Sequence, residues 1–207
     1  MQWAWMSNVV NFEPPPPAEV AEPSPNKRAI RRWSRAFSRL FALALLLFAS
    51  FALLLGCAVL AYDGPFLSFG PGGIWIGRAP DAAMGLMPLT AFSPVQRICG
   101  ALAIGFLATP IMFILFHLRA LFRLYAEGIV FAPANARRLQ LAGLGLVLYA
   151  FAPFVANRMI LIAGVTNDPG WLHFDEALAL LLGALFFVGA HVAAFGREIE
   201  QERDTFV

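Results

Sequence analysis

Three ionisable side chains stand within or against long apolar stretches: His117, Arg158 and His191. A titratable or charged group in hydrocarbon is costly, so such a residue first raises proton relay, metal binding or ion passage. His117 and His191 each fall near the end of an apolar run, at similar depth in the topology derived below, where they could share a proton or a metal. Two imidazoles with no third ligand nearby make a poor metal site, and packing or interfacial histidines are the plainer expectation. Arg158 can carry its guanidinium outward along its apolar stem or pair with Asp175 or Glu176, which is a structural role. The chain holds no HExxH, GxSxG or phosphate-binding glycine loop. Asp63, Asp81 and Asp168 are scattered, and only His173 has a carboxylate, Asp175, close by in sequence. No acidic residue sits at the centre of an apolar run, where a proton- or cation-coupled carrier often needs one. The chain is therefore expected not to be an enzyme and to require no cofactor or metal.

The elements that must position these residues are membrane helices. Of the 207 residues only 14% are charged and 59% are hydrophobic, well below the roughly 25% charged of soluble domains. Four apolar runs of about 20 residues each are long enough to cross a hydrocarbon layer about 30 Å thick. The fold class expected is an all-α integral membrane protein with four transmembrane helices, both termini inside. The spans predicted are 40–62, 98–118, 139–157 (or on to Ile162) and 177–195. They form one transmembrane domain over 40–196, between a disordered Pro-rich and basic arm at 1–39 and an acidic tail at 197–207. Within the arm, Lys27 to Arg39 carries Ile30, Trp33 and Phe37 at helical spacing and suits an anionic lipid surface. The LLGC sequence ending at Cys57 loosely resembles a lipoprotein cleavage box, but the long preceding region and the later spans favour a retained helix. Small-residue pairs, Ala52 with Gly56, Ala101 with Gly105, Ala179 with Gly183 and Ala190 with Ala194, would admit close helix approach.

Lys and Arg counts give the orientation. Twelve lie in the N-terminal arm, the 119–138 connection and the tail, against Arg78, Arg97 and Arg158 on the other side. The excess places both termini and the central connection in the cytoplasm. The long outer connection, 63–97, contains PGGIWIG with Trp75 as an aromatic anchor and reads as a short hairpin or an interfacial loop. Arg119 to Arg138 sums to net positive, the tail to net negative, and attraction between them is expected, although exposed pairs contribute only about 0–1 kcal/mol each.

The stretch LFRLYAEGIVFAPANARRLQLAG between the second and third spans resembles the signature of the bacterial DUF2975 family of four-span membrane proteins. The matching positions are Leu121, Phe122, Leu124, Tyr125, Gly128, Phe131, Asn135 and Gly143, and the tail is similar at Glu202, Thr205 and Val207. The resemblance covers residues 40–207. Ala132 departs from it where a Ser or Thr cap is usual, a loss of around 1 kcal/mol that leaves Asn135 to order the turn. The resemblance implies no established activity, and an association with small helix-turn-helix regulators by analogy.

The function expected is a non-enzymatic protein of a bacterial inner membrane that docks or senses for a cytoplasmic protein, with a transcription regulator as one such partner. The candidate surface is Arg119, Arg123, Tyr125, Phe131, Asn135, Arg137, Arg138, Glu198 and Glu202. Besides lipid and that partner, no direct nucleic-acid binding is expected. The alternative is a small transporter or channel built on Pro110, Pro153, His117 and His191.

Overall fold

The computed structural model describes residues 25–70, 73–77, 86–130, 132–165 and 174–205. Its four helices are α1 (Pro25–Ala61), α2 (Pro94–Glu127), α3 (Pro133–Ile162) and α4 (Phe174–Thr205). Each is long and apolar enough to cross a membrane, and the protein has a multi-pass membrane fold. At 1.5 Å per residue α1 is about 55 Å long and the shortest, α3, about 45 Å, so every helix outruns a hydrocarbon layer of about 30 Å.

This extra length changes the expected boundaries. The basic stretch from Lys27 to Arg39, placed above in a disordered arm, is the continuous first third of α1. Ala29, Ile30 and the arginines are sound helix formers, and nothing between Lys27 and Leu40 interrupts the ladder. The acidic tail is likewise a continuation of α4 as far as Thr205. The 119–138 connection is helix at both ends, leaving only residues 128–132 to turn the chain. Residues 1–24, and with them the rest of the expected disordered arm, lie outside the described residues, as do Arg78, Asp81, Phe131, Asp168 and His173.

Each helix packs antiparallel on the next in sequence, α1 on α2, α2 on α3 and α3 on α4, while α1 and α4 do not pack along their lengths. The helices thus form an open row. The third interface is the closest. A Cβ built on Gly143 would stand 3.0 Å from the Gly183 carbonyl oxygen, and one on Gly183 would stand 3.1 Å from the Gly143 oxygen. These two glycines let the α3 and α4 backbones touch, as small residues do between membrane helices. The other small pairs behave differently. A Cβ on Gly56 or Gly105 would meet nothing within 4 Å, so these positions flank an open groove on the α1–α2 face instead of a tight crossing.

Between α1 and α2 lies an antiparallel three-stranded sheet; of the two expectations for PGGIWIG, hairpin or interfacial loop, the hairpin is seen, and the third strand was not expected. Its strands are β1 (Leu67–Gly70), β2 (Gly73–Ile76) and β3 (Met87–Pro88), in the order β2-β1-β3. Trp75 lies opposite Ser68 and Ile74 opposite Phe69. Phe69 turns inward onto Val59, Leu67, Leu89, Phe92, Ile104 and Val165, the one cluster of buried large apolar side chains among the described residues. This cap is therefore packed like a small soluble domain, while Leu43, Leu47, Leu54, Leu181, Leu185 and Val188 on the helices stay exposed, as suits side chains facing lipid.

Arg97 locks that cap to the helices. Its guanidinium donates to the carbonyls of Tyr62 and Leu89, both at 3.2 Å, and pairs with Asp63. It thus satisfies the Tyr62 carbonyl just past the end of α1, where the helical ladder has run out, and ties it to the Leu89 turn before α2. Beside it, Ser93 and Gln96 form a reciprocal capping box at the start of α2. Gln96 also donates through Nε2 to the Ala163 carbonyl at 3.1 Å, tying in the end of α3.

Candidate functional site

The end of the row opposite this cap gathers the start of α1, the α2–α3 turn and the end of α4. Antiparallel packing makes this necessary: Ser38 of α1 approaches the Arg119 carbonyl of α2 at 3.5 Å, and His117 of α2 meets Arg138 of α3. Lys27, Arg28, Arg31, Arg32, Arg35 and Arg39 thereby come to the same end as Arg119, Arg123, Arg137, Arg138 and Arg197.

An aromatic ladder joins α1 to α2. Phe122 packs on Phe37 and Phe41, with ring centroids 5.2 and 5.5 Å apart, and Tyr125 meets Phe122 edge-on at 5.9 Å. Tyr125 is thus half-buried in the helix pairing. Arg119 and Arg123 are exposed, and Arg123 reaches Glu127 one turn on at 4.0 Å, a pair open to solvent.

The turn is built from backbone groups and one amide. Gly128 takes φ +87° and closes α2, its N–H bonding the Tyr125 carbonyl while the Ile129 N–H bonds that of Leu124, both at 3.0 Å. This is the nested pair that favours glycine at a helix end. Arg31 lies directly over this glycine: a Cβ there would stand 2.6 Å from its guanidinium nitrogen. Asn135 is 1% exposed, and its Nδ2 donates to the carbonyls of Ile129 and Val130, both at 2.7 Å. The start of α3 has Ala132 at its cap position and no side-chain acceptor. Asn135 therefore orders the link from inside the helix, as the missing cap led one to expect.

His117 is buried at the α2–α3 interface. The Arg138 guanidinium donates to Nδ1 at 3.1 Å, so Nδ1 is the unprotonated ring nitrogen, and Phe113 and Phe116 meet the ring edge-on at 4.3 and 5.3 Å. Arg138 also lies over the Phe116 ring at 6.0 Å. His191 is elsewhere: it is exposed on α4 and its Nδ1 contacts the Phe187 carbonyl of its own helix at 2.8 Å. The structure does not bring the two histidines together, because α2 and α4 are separated by α3 in the row. Among the described residues no three His, Cys, Asp or Glu side chains could hold a metal. Arg158 is exposed, its guanidinium 5.3 Å over the Phe154 ring. The described polar contact from α3 to Asp175 comes instead from Tyr149, whose hydroxyl donates at 3.2 Å.

The expected attraction between the 119–138 arginines and the acidic tail rests largely on side chains from residue 200 onward, which lie outside the described residues. Arg137 and Arg197 line the same groove between the start of α3 and the end of α4, with Ala136, Gln140, Ala193 and Ala194. Arg138 is taken up by His117. Glu198 is exposed, and the side chain of Glu202 is outside the described residues. The sequence put the two segments on the same side but did not show that Arg137 and Arg197 line one groove. One signal was present: Arg197 precedes all four tail acids and borders the Ala190–Ala194 small face.

A family model for a protein of unknown function, DUF2975, matches residues 77–207. The chain belongs to that family. The DUF2975 match takes in α2, α3 and α4 with the whole turn just described, and leaves α1 outside it, a narrower extent than the 40–207 resemblance. No curated protein and no solved structure matches this DUF2975 chain. The signature positions of the DUF2975 member now have physical roles: Gly128 closes α2, Asn135 braces the link, Phe122 packs on α1 with Tyr125 against it, and Gly143 admits α4.

Proposed function

We propose that this chain is a docking or sensing protein whose basic end, facing the cytoplasm of a bacterial inner membrane, binds a soluble protein. The observation that carries this is the assembly of four helix ends into one projecting basic face. Eleven Lys and Arg from Lys27 to Arg197 share that end, while the opposite end carries a folded cap in which Arg97 is committed to structure. Such a charge asymmetry supports the inside orientation of the basic end. It also suits a partner with an acidic surface, since complementary charge speeds encounter and fixes orientation. A transcription regulator is the kind of partner the family analogy implies. The histidines and helix prolines lend nothing to a transport pathway, since His117 is spent on Arg138 and His191 is exposed on an outer helix.

Affinity capture from native membranes tests this proposal. The intact chain is compared with R119Q/R123Q, which neutralises exposed arginines outside the turn's internal contacts. A soluble protein recovered with the intact chain and lost from that variant supports docking. Equal recovery of every soluble protein by both contradicts it.

A further inference from the structure

The groove between α3 and α4 has features that docking does not use. It is a cavity of about 370 Å³ lined by Arg137, Gln140 and Arg197, with Ala132, Ala136 and Ala193 opening space between them. Two guanidinium groups on one small cavity repel each other unless an anion lies between them. Among the described residues neither is paired with a carboxylate. Arg197 goes further, because its Nε–H is buried without an acceptor, and a buried donor left unmade costs a full desolvation penalty. The missing acceptor is what a bound anion would supply. The first turn of α3 also borders the cavity with no side-chain cap, so its positive end adds to the same field. Val192 and Phe195 beside the groove are exposed and apolar, which sets it at the boundary between headgroups and hydrocarbon.

We propose that this groove binds a phosphate group, with Arg137 and Arg197 as its two donors. Guanidinium forks match phosphate oxygens geometrically as well as electrically. The phosphate could belong to an anionic phospholipid, whose acyl chains would follow the apolar face of α4, or to a soluble phosphate compound. Arg137 and Arg197 belong to the same basic end, and the groove is tested separately from docking, whose test rests on Arg119 and Arg123.

The test uses the full chain purified in a neutral detergent. In one arm phosphatidylglycerol is titrated and bound lipid is read by native mass spectrometry. In the other, inorganic phosphate is titrated and thermal unfolding is followed. The variants are R137Q, R137Q/R197Q and the charge-matched control R119Q/R123Q; R137Q alone alters an exposed residue and guards against a folding artefact. We expect saturable binding that weakens about tenfold in R137Q/R197Q, as for loss of charge-assisted hydrogen bonds, weakens in R137Q, and is retained by the control. Loss confined to the lipid arm assigns the phosphate to a headgroup, and loss confined to the phosphate arm assigns it to a soluble compound. Absence of binding to the natural chain in both arms, undiminished binding by R137Q/R197Q, or equal loss in the control overturns the proposal.

Discussion

Arg138 of α3 donates a hydrogen bond of 3.1 Å to Nδ1 of His117 on α2, so these two polar side chains satisfy each other across the α2–α3 interface. That contact removes His117 from consideration as a free proton carrier and makes it a fastening. Replacing Arg138 by Ala strands a buried acceptor, at a cost of about 1–3 kcal/mol. In detergent, R138A should lower the unfolding temperature. H117A should lower it too, and the double variant should lose clearly less than the sum, as coupled partners do. Additive losses would show that the pair is incidental.

Asn135 should be sensitive to both deletion and charge. N135A leaves the carbonyls of Ile129 and Val130 without their shared donor and should cost about 1–3 kcal/mol. N135D puts a carboxylate against those two carbonyl oxygens and should be worse. Protease cleavage within 128–132 is the sensitive readout, because local opening exposes the link before the helices separate. Unchanged cleavage in both variants would contradict the bracing role.

Glycine positions give a graded series. G128A meets both a left-handed backbone and the Arg31 guanidinium, and should cost about 1 kcal/mol or more. G183L forces α4 away from α3 at the Gly143 carbonyl and should abolish cross-linking between cysteines placed on the two helices. G56A, which meets nothing within 4 Å, should be neutral. Melting curves of the three variants check the ranking.

Much of this was legible in the sequence. Long apolar runs define spans whatever surrounds them, because hydrocarbon leaves a backbone few choices, and the PGGIWIG punctuation allowed the hairpin between α1 and α2 as one of two readings. Helix ends were harder to place. Hydropathy marks where a helix leaves lipid, not where it stops, so the Arg-rich start of α1 and the Glu-rich end of α4 read as arm and tail. Side-chain partners were harder still. Nothing in the order of residues says that Arg138 turns to His117 while Arg137 turns to Arg197's groove, since that depends on how α3 is rotated between its neighbours.

Arg97 is the clearest case of a residue counted only as charge. R97A frees the Tyr62 and Leu89 carbonyls and leaves Asp63 without its partner. It should loosen the cap by about 2–4 kcal/mol, more than an exposed pair would contribute. Faster hydrogen exchange across β1 and the Leu89–Ala91 turn, with the opposite end unaffected, is the expected pattern. Protection unchanged in β1 would show that the apolar cluster holds the cap without it.

The central claim is that the basic end recruits a soluble partner, and one experiment bears on it most directly. Captures from native membranes should compare the intact chain, R119Q/R123Q, R137Q/R197Q and a chain ended after Phe195. The account predicts one soluble protein with the intact chain and with R137Q/R197Q, absent or strongly reduced with R119Q/R123Q and with the shortened chain. The same proteins recovered from all four would contradict it.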